Sequence, residues 1–208
     1  MRNFVKLAAI AAMGLFPAIS AWAVPFQNGS FETGPNPGGF STLAAGNTNI
    51  TGWTVGGVNI DYIGTYWQPA DGGRSIDLNG GGPGSIFQTF DTIIGVNYQV
   101  VFALAGNPDG LPPIKTGTVS AALSSQNFSF DVTGDSRSNM GWVDTTFHFQ
   151  AVAASTTLTF ASTITGFFGP ALDNVRVNVR VDAVPEPITL SLLGAGLAGI
   201  GLVRRRRA

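Results

Sequence analysis

The chain has 208 residues with 28 Gly, 12 Pro and no Cys, and only 11% of them are charged, well below the roughly 25% usual for soluble domains. Without Cys there are no disulfides, thiolate metal sites or cysteine nucleophiles. The formal charge of −1 conceals an uneven distribution, because between Val24 and Ala183 five basic residues stand against eleven acidic ones, leaving that span near −6. Such a span excludes nucleic acid as a partner, since phosphate binding needs a basic footprint.

The N-terminus is the first element. Arg2 and Lys6 precede an apolar run from Leu7 to Ile19, and Ala21-Trp22-Ala23 is a small-x-small cleavage site. This pattern predicts a secretory signal peptide over residues 1–23, with the mature chain starting at Val24. The apolar run is too short for a full membrane span.

From Val24 to Ala183 there is almost no helical periodicity. Short alternating runs are broken by Gly, Pro, Asn and Asp, which predicts strands joined by turns. The predicted strands run over Asn59 to Ile63, Arg74 to Asn79, Tyr98 to Ala105, Asn127 to Val132, Trp142 to Gln150, Thr157 to Ala161 and Ala171 to Val181. Tyr98 to Ala105 is the most apolar and reads as central. Turn clusters fall at Pro35 to Gly39, Gly80 to Gly84, Asn107 to Pro113 and Gly134 to Gly141. With a further strand ending at Glu32, the spacing predicts a single all-β domain over residues 24–183, a sandwich or jelly roll.

The tail is residues 184–208. Val184-Pro185-Glu186-Pro187 stops the preceding strand, because proline lacks an N–H and fixes φ. Sixteen uncharged residues follow, Ile188 to Val203, and then Arg204, Arg205, Arg206 and Arg207. A helix of that length spans about 24 Å, slightly short of a roughly 30 Å bilayer core. The arginines can snorkel to make up part of the difference and hold the tail on the cytoplasmic side.

These features carry two resemblances. Pro185-Glu186-Pro187, the Gly-rich apolar helix and the terminal arginines resemble the PEP-CTERM sorting signal. That resemblance implies cleavage by an exosortase, membrane insertion through the C-terminal helix before processing, and export to the envelope, surface or matrix of a Gram-negative bacterium that makes exopolysaccharide. Asn28-Gly29-Ser30-Phe31-Glu32, Gly52-Trp53, Ile60-Asp61-Tyr62-Ile63, Tyr66-Trp67, Ser75-Ile76-Asp77-Leu78-Asn79-Gly80, Gln88-Thr89-Phe90, Gly95 to Tyr98 and Gly169-Pro170-Ala171-Leu172-Asp173-Asn174-Val175 resemble the choice-of-anchor C family. They are also similar to the galactose-binding-like domains of plant cell-wall proteins of unknown function. This second resemblance implies a jelly-roll sandwich like that of many carbohydrate-binding modules.

Catalysis finds little support. No Gly-x-Ser-x-Gly, His-Glu-x-x-His or phosphate loop occurs. His148 alternates with the apolar residues of its strand, as a solvated histidine does. A glycosidase needs two facing carboxylates, whereas the domain has a single Glu and scattered Asp. The stretch Tyr62 to Arg74 is the best ligand candidate, with Tyr62, Tyr66 and Trp67 to stack on sugar faces and Gln68, Asp71 and Arg74 to bond hydroxyls. Tyr66 and Trp67 read equally well as packing residues, and Trp53 and Trp142 read as core. If the loop binds glycan, Trp67→Ala weakens binding and costs less than about 1 kcal/mol of stability, as at exposed sites.

Asp173 is in phase with Val175, Val177, Val179 and Val181, so it is expected to point inward, where a carboxylate must be paired, bonded or metal-bound. In the resembling carbohydrate-binding modules, acidic positions matching Glu32 and Asp173 hold a structural Ca²⁺, which suits hard oxygen ligands. A turn-capping Asp, or one paired with Arg74 or Arg176, is the alternative. The reading is an exported, non-catalytic module for extracellular or cell-wall polysaccharide; a purely structural or adhesive matrix protein and a glycan hydrolase are the alternatives. Intact-mass spectrometry of protein from the native host is expected to show a species lacking both residues 1–23 and the tail after about Pro187; a mature species that keeps the four terminal arginines contradicts processing.

Overall fold

The structure, a computed structural model, describes residues 24–180. The expected signal peptide and sorting tail lie outside the described residues, as does the predicted end of the last strand at Val181. Eleven strands make up the domain: β1 (Phe40–Ala44), β2 (Thr54–Gly57), β3 (Asn59–Ile63), β4 (Ser75–Asp77), β5 (Gly84–Asp91), β6 (Asn97–Gly106), β7 (Ile114–Ala121), β8 (Ser124–Asp131), β9 (Val143–Gln150), β10 (Ser155–Ser162) and β11 (Pro170–Val179). They form two antiparallel sheets, one of six strands in the order β1-β3-β4-β11-β6-β9 and one of five in the order β2-β5-β10-β7-β8. The fold is a jelly-roll β-sandwich, as the alternation of short strands and turn clusters predicts.

The core lies between the sheets. Ile60, Tyr62, Ile76, Leu172, Phe102 and Phe147 face it from the six-stranded sheet, and Ile86, Leu158, Phe160, Val119 and Phe128 from the other. Phe102 and Phe160 meet edge to face at 5.0 Å across the gap. Burying each such side chain stabilises the fold by about 1.5–3 kcal/mol, which offsets the entropy of ordering so many short strands.

Four strands, β1, β2, β5 and β7, have no counterpart among the predicted ones. Two of them carry polar or small residues in the apolar phase. In β7 the buried positions are Lys115, Gly117, Val119 and Ala121. In β5 they include Gln88, which is bonded at both ends to the backbone of Gln27, accepting at 2.8 Å and donating at 2.9 Å.

Two expectations are corrected. No strand ends at Glu32: Asn28 and Phe31 have φ of 52° and 60°, and left-handed residues break a pleated run. The segment instead plugs one end of the sandwich, where Trp53 Nε1 donates to Asn28 O at 2.9 Å and Tyr62 Oη donates to Phe31 O at 2.5 Å. The second correction concerns Asp173, which lies on the outer face of the six-stranded sheet. Its register partner is Ala103, while Arg176 pairs with Val101, so two β11 residues oppose one on β6. This is a β-bulge, built on Asn174 at φ 48°, and it reverses which residues point inward. Leu172 and Val175 are therefore both in the core, with Asp173 outside.

At the bulge the first segment comes very close, with Val175 N donating to Gly29 O at 2.9 Å. A Cβ on Gly29 would run into the Val175 carbonyl. Gly29→Ala is expected to destabilise the domain by at least about 2 kcal/mol in chemical denaturation, through overpacking against backbone.

Candidate functional site

A sheet in a sandwich has an outer as well as an inner face, and here the outer face of the six-stranded sheet is the unusual one. Its strands present Thr42, Asn59, Asp61, Asp77, Ala171, Asp173, Ala103 and Asp144 outward, in register with one another. The loop from Gly64 to Arg74 lies across this face. Asp173 Oδ2 accepts the amides of Ala70 and Asp71 at 2.8 and 2.9 Å, and Glu32 Oε1 accepts those of Gly73 and Arg74 at 2.8 Å each. So tied, the loop covers a second small apolar cluster of Ile63, Trp67, Ala105, Met140 and Ala171. Near its start, Tyr66 is half-buried.

Beside the loop, over β1 and β3, is a cavity of about 340 Å³. Tyr66, Trp67, Phe40, Phe167 and Phe168 supply its aromatic surface, and Thr42, Asn59, Asp61 and Asn107 its polar groups. Gly80 and Gly81 form part of the wall. A Cβ on Gly80 would stand 3.0 Å or less from Asn59 Oδ1, Thr42 Cγ2 and Asp61 Oδ1, so only glycine leaves this space open. Thr42 Oγ1 donates to Asp61 Oδ1 at 2.5 Å. Burial pushes the Asp61 carboxyl above its ordinary value, and the Thr42 hydrogen bond opposes that rise.

Tyr66 is held from several sides. Its hydroxyl donates to Asp109 Oδ2 at 2.8 Å, the Arg137 guanidinium lies 4.0 Å from its ring centroid, and Phe40 meets it edge-on at 5.1 Å. Arg137 also bonds Asp109 Oδ1 at 2.8 Å. Burial raises the Tyr66 phenol, and the Asp109 hydrogen bond adds to the rise.

Beneath the cavity lies Asp77, which is fully buried. Its Oδ2 accepts Asn107 Nδ2 at 2.8 Å, and its Oδ1 accepts the amides of Asn79 at 2.9 Å and Gly169 at 3.0 Å. Asn107 Oδ1 in turn accepts the Asp109 amide at 3.0 Å. The carboxyl thus ties the 107–109 loop and the Phe167–Phe168 loop to the sheet. Burial raises it to about 8, against the pull of those three donors.

A second, more open cavity of about 560 Å³ lies across the loop, over β11, β6 and β9, with Gln68, Trp142, Asp144 and Arg176 among its walls. Trp142 Nε1 donates to Gln68 O at 2.9 Å, and Arg176 Nη2 to Asp144 Oδ2 at 2.8 Å.

The predicted ligand residues are therefore scattered. Tyr62 is fully buried in the main core and offers no face to a ligand. Trp67 is only 4% exposed, with Nε1 donating to Ser75 Oγ at 2.8 Å, so it is a packing residue whose edge reaches the cavity wall. Tyr66 lines the same cavity, while Gln68 lines the other. Asp71 and Arg74 line neither: Asp71 accepts the Ser30 hydroxyl at 2.7 Å, and Arg74 reaches Asn36 at 3.3 Å. Asn59, Asp61 and Asp77 were legible as the polar phase of two alternating strands; Phe40, Phe167, Phe168 and Asn107 came from loops and edges with no such pattern. Trp142, expected in the core, is half-buried in the wall of the second cavity.

Glu32 and Asp173 do meet at one loop, with amides as their partners. Asp173 Oδ1 also accepts the Asn174 amide at 2.6 Å, and burial raises this carboxyl to about 7. Among the described residues no group of three or more His, Asp or Glu side chains is placed to hold a metal ion. A cation here would therefore rest on Glu32 Oε2, the remaining lone pair of Asp173 Oδ1 and carbonyl oxygens. Hard oxygen donors of that kind fit Ca²⁺.

The domain is thus an antiparallel β-sandwich with an aromatic-walled cavity on its outer face. Residues 24–178 match the family described as "Protein of unknown function (DUF642)", and the chain belongs to that family. Residues 183–207 match the PEP-CTERM protein-sorting motif, which marks the chain for export to the cell envelope. Halomucin of Haloquadratum walsbyi is 34% identical over 165 residues, which are 76% of this chain and 2% of halomucin; the chain spans a small fraction of that relative. The fold is similar to TmCBM61, solved in complex with β-1,4-galactotriose, at 11% identity and TM-score 0.47, covering 76% of this chain and 99% of that one. It is similar as well to a family 35 carbohydrate-binding module of Paenibacillus barcinonensis, at 19% identity and TM-score 0.43, covering 67% and 99%.

Two outcomes follow from this geometry. Trp67→Ala is expected to cost about 3–5 kcal/mol in urea denaturation, as for a buried aromatic, and not the small cost of an exposed one. Asp77 and Asp173, at about 8 and about 7, hold protons that the unfolded chain releases near pH 3.9. Their contribution to stability is greatest at acid pH and declines as pH rises from about 4 to about 8. Urea midpoints measured in chelator are expected to be lower at about pH 8.5 than at about pH 5.5, with Asp173→Asn lessening the difference.

Proposed function

We propose that the domain is a non-catalytic glycan-binding module, exported and then cleaved by an exosortase after transient insertion of its C-terminal helix in the membrane. In this reading it works in the exopolysaccharide matrix or at the surface of a Gram-negative bacterium. The observation that carries it is the 340 Å³ cavity with aromatic walls and a few convergent polar groups, the composition of sites that stack on sugar C–H faces and bond hydroxyls. Tyr66 is braced by Arg137 and Asp109, so little entropy is lost when a sugar packs on it. Carbohydrate binding by solved proteins of similar fold is consistent with this reading.

The test uses Gly81, on the cavity wall. A Cβ there meets Asn59 Nδ2 at 3.3 Å and nothing nearer, so Gly81→Ala places a methyl in the cavity with little strain. It is expected to weaken glycan binding in affinity electrophoresis by roughly tenfold while shifting Tm by less than about 3 °C, within the usual range for surface substitutions. If no soluble or insoluble glycan binds the unaltered protein, it is a structural matrix protein instead.

A Ca²⁺ ion on Glu32 and Asp173 belongs to the same proposal. It would hold the Asp173 carboxyl ionised and brace the loop that carries Tyr66. Ca²⁺ is then expected to raise Tm by mass action, and Asp173→Ala to abolish the response. A Tm that chelator and Ca²⁺ leave unchanged removes the ion from this account.

A further inference from the structure

We infer that the cavity selects uncharged sugar residues and rejects uronates; this rests on the glycan-binding reading above. Asp61 is the one carboxylate in the wall; Asp77 beneath it holds its proton near neutral pH, and Asp109 at the rim is paired with Arg137. No basic side chain lines the cavity, and the nearby cations are turned to other work. Lys115 is fully buried behind Phe168, with Nζ donating to Gly110 O at 2.7 Å. Arg137 lies over the Tyr66 ring and pairs with Asp109.

A uronate carboxylate entering this space meets the Asp61 carboxylate and no cationic side chain in the wall. Like-charge juxtaposition in a partly desolvated site is unfavourable. A neutral sugar hydroxyl instead donates to Asp61, which has Oδ1 bonded to Thr42 and its other oxygen available for a charge-assisted bond.

The experiment is affinity electrophoresis and calorimetry of the mature full-length protein against two sets of probes. One set is neutral (β-1,4-galactan, mannan, mixed-linkage β-glucan) and the other acidic (polygalacturonate, alginate). Binding to at least one neutral probe at least tenfold tighter than to either acidic one supports the inference. Equal or tighter binding to an acidic probe overturns it and leaves the glycan-binding reading intact. Failure of every probe overturns both. Asp61→Asn is expected to weaken neutral binding about tenfold and to narrow the neutral-to-acidic ratio. Should it fail to fold, Thr42→Val, at an exposed position, serves in its place by freeing Asp61 to rotate. An unchanged ratio in a folded Asp61 variant removes Asp61 from the selection.

A second inference rests on different atoms. Val24 N donates to Asp91 Oδ2 at 2.6 Å, and Asp91 N donates to Val24 O at 2.8 Å. Val24 is the residue expected to follow the signal-peptide cleavage site. We infer that cleavage turns this amide into an ammonium group ion-paired with Asp91, so that maturation itself fastens the first segment to β5. The pair exists only while the amine is protonated and is lost once pH is well above the ordinary α-amine value near 8. Protein starting at Val24 is expected to melt about 1–3 °C higher than its N-acetylated form at about pH 6. The difference is expected to vanish at about pH 10.5, and in Asp91→Asn at either pH. A difference that persists in Asp91→Asn, or a mature N-terminus other than Val24, overturns it.

Discussion

Four hydrogen bonds from the amides of Ala70, Asp71, Gly73 and Arg74 to the carboxylates of Asp173 and Glu32 place the Gly64–Arg74 loop on the outer sheet face, and the site depends on where that loop lies. A loop without secondary structure needs such fixed partners for its amides. The loop brings Trp67 down as a lid over Ala105, Met140 and Ala171. Tyr66 is thereby set beside the cavity, with Arg137 and Asp109 fixing its ring.

The two anchoring carboxylates arise from local backbone strain. Asp173 reaches the outer face because a bulge at Asn174 reverses the phase of β11. Glu32 follows Phe31, which also has a positive φ. Non-glycine residues in that region persist only where surrounding contacts over-determine them. Here Phe31 is fully buried beside Trp53, and Val175 N is bonded to Gly29 O. The main core thus holds the strain, and the outer face uses it.

Asp77 plays the corresponding part on the other side of the cavity. Through Asn107 and Gly169 it holds two separate loops against one strand. A buried carboxyl is costly unless fully bonded, and this one has three donors, so the rim is as well fixed as the sheet beneath it. The two halves of the outer face share one design, in which buried or loop-facing carboxyls, Asp77 and Asp173 on strands and Glu32 on the first segment, organise loops whose aromatic side chains line the cavities.

The all-β class and the turn positions were legible in the residues themselves, because alternation and Gly, Pro, Asn and Asp punctuation are local signals. So were Asn59, Asp61 and Asp77 as a polar phase, through their alternation with Ile60, Tyr62 and Ile76. Three things depended on the tertiary structure. Strand β7 was hidden because Lys115 and Gly117 occupy inward positions, and only the long Lys115 stem reaching Gly110 makes that burial tolerable. The face of Asp173 turned on one inserted residue, which a period-two pattern cannot show in advance. Tyr62 and Trp67 looked like binding aromatics in a loop-rich stretch, yet one lies on the inward phase of β3 and the other closes a second core. An aromatic is drawn to apolar surface whether that surface belongs to a ligand or to the protein, and only the packing of distant strands decided which it would be.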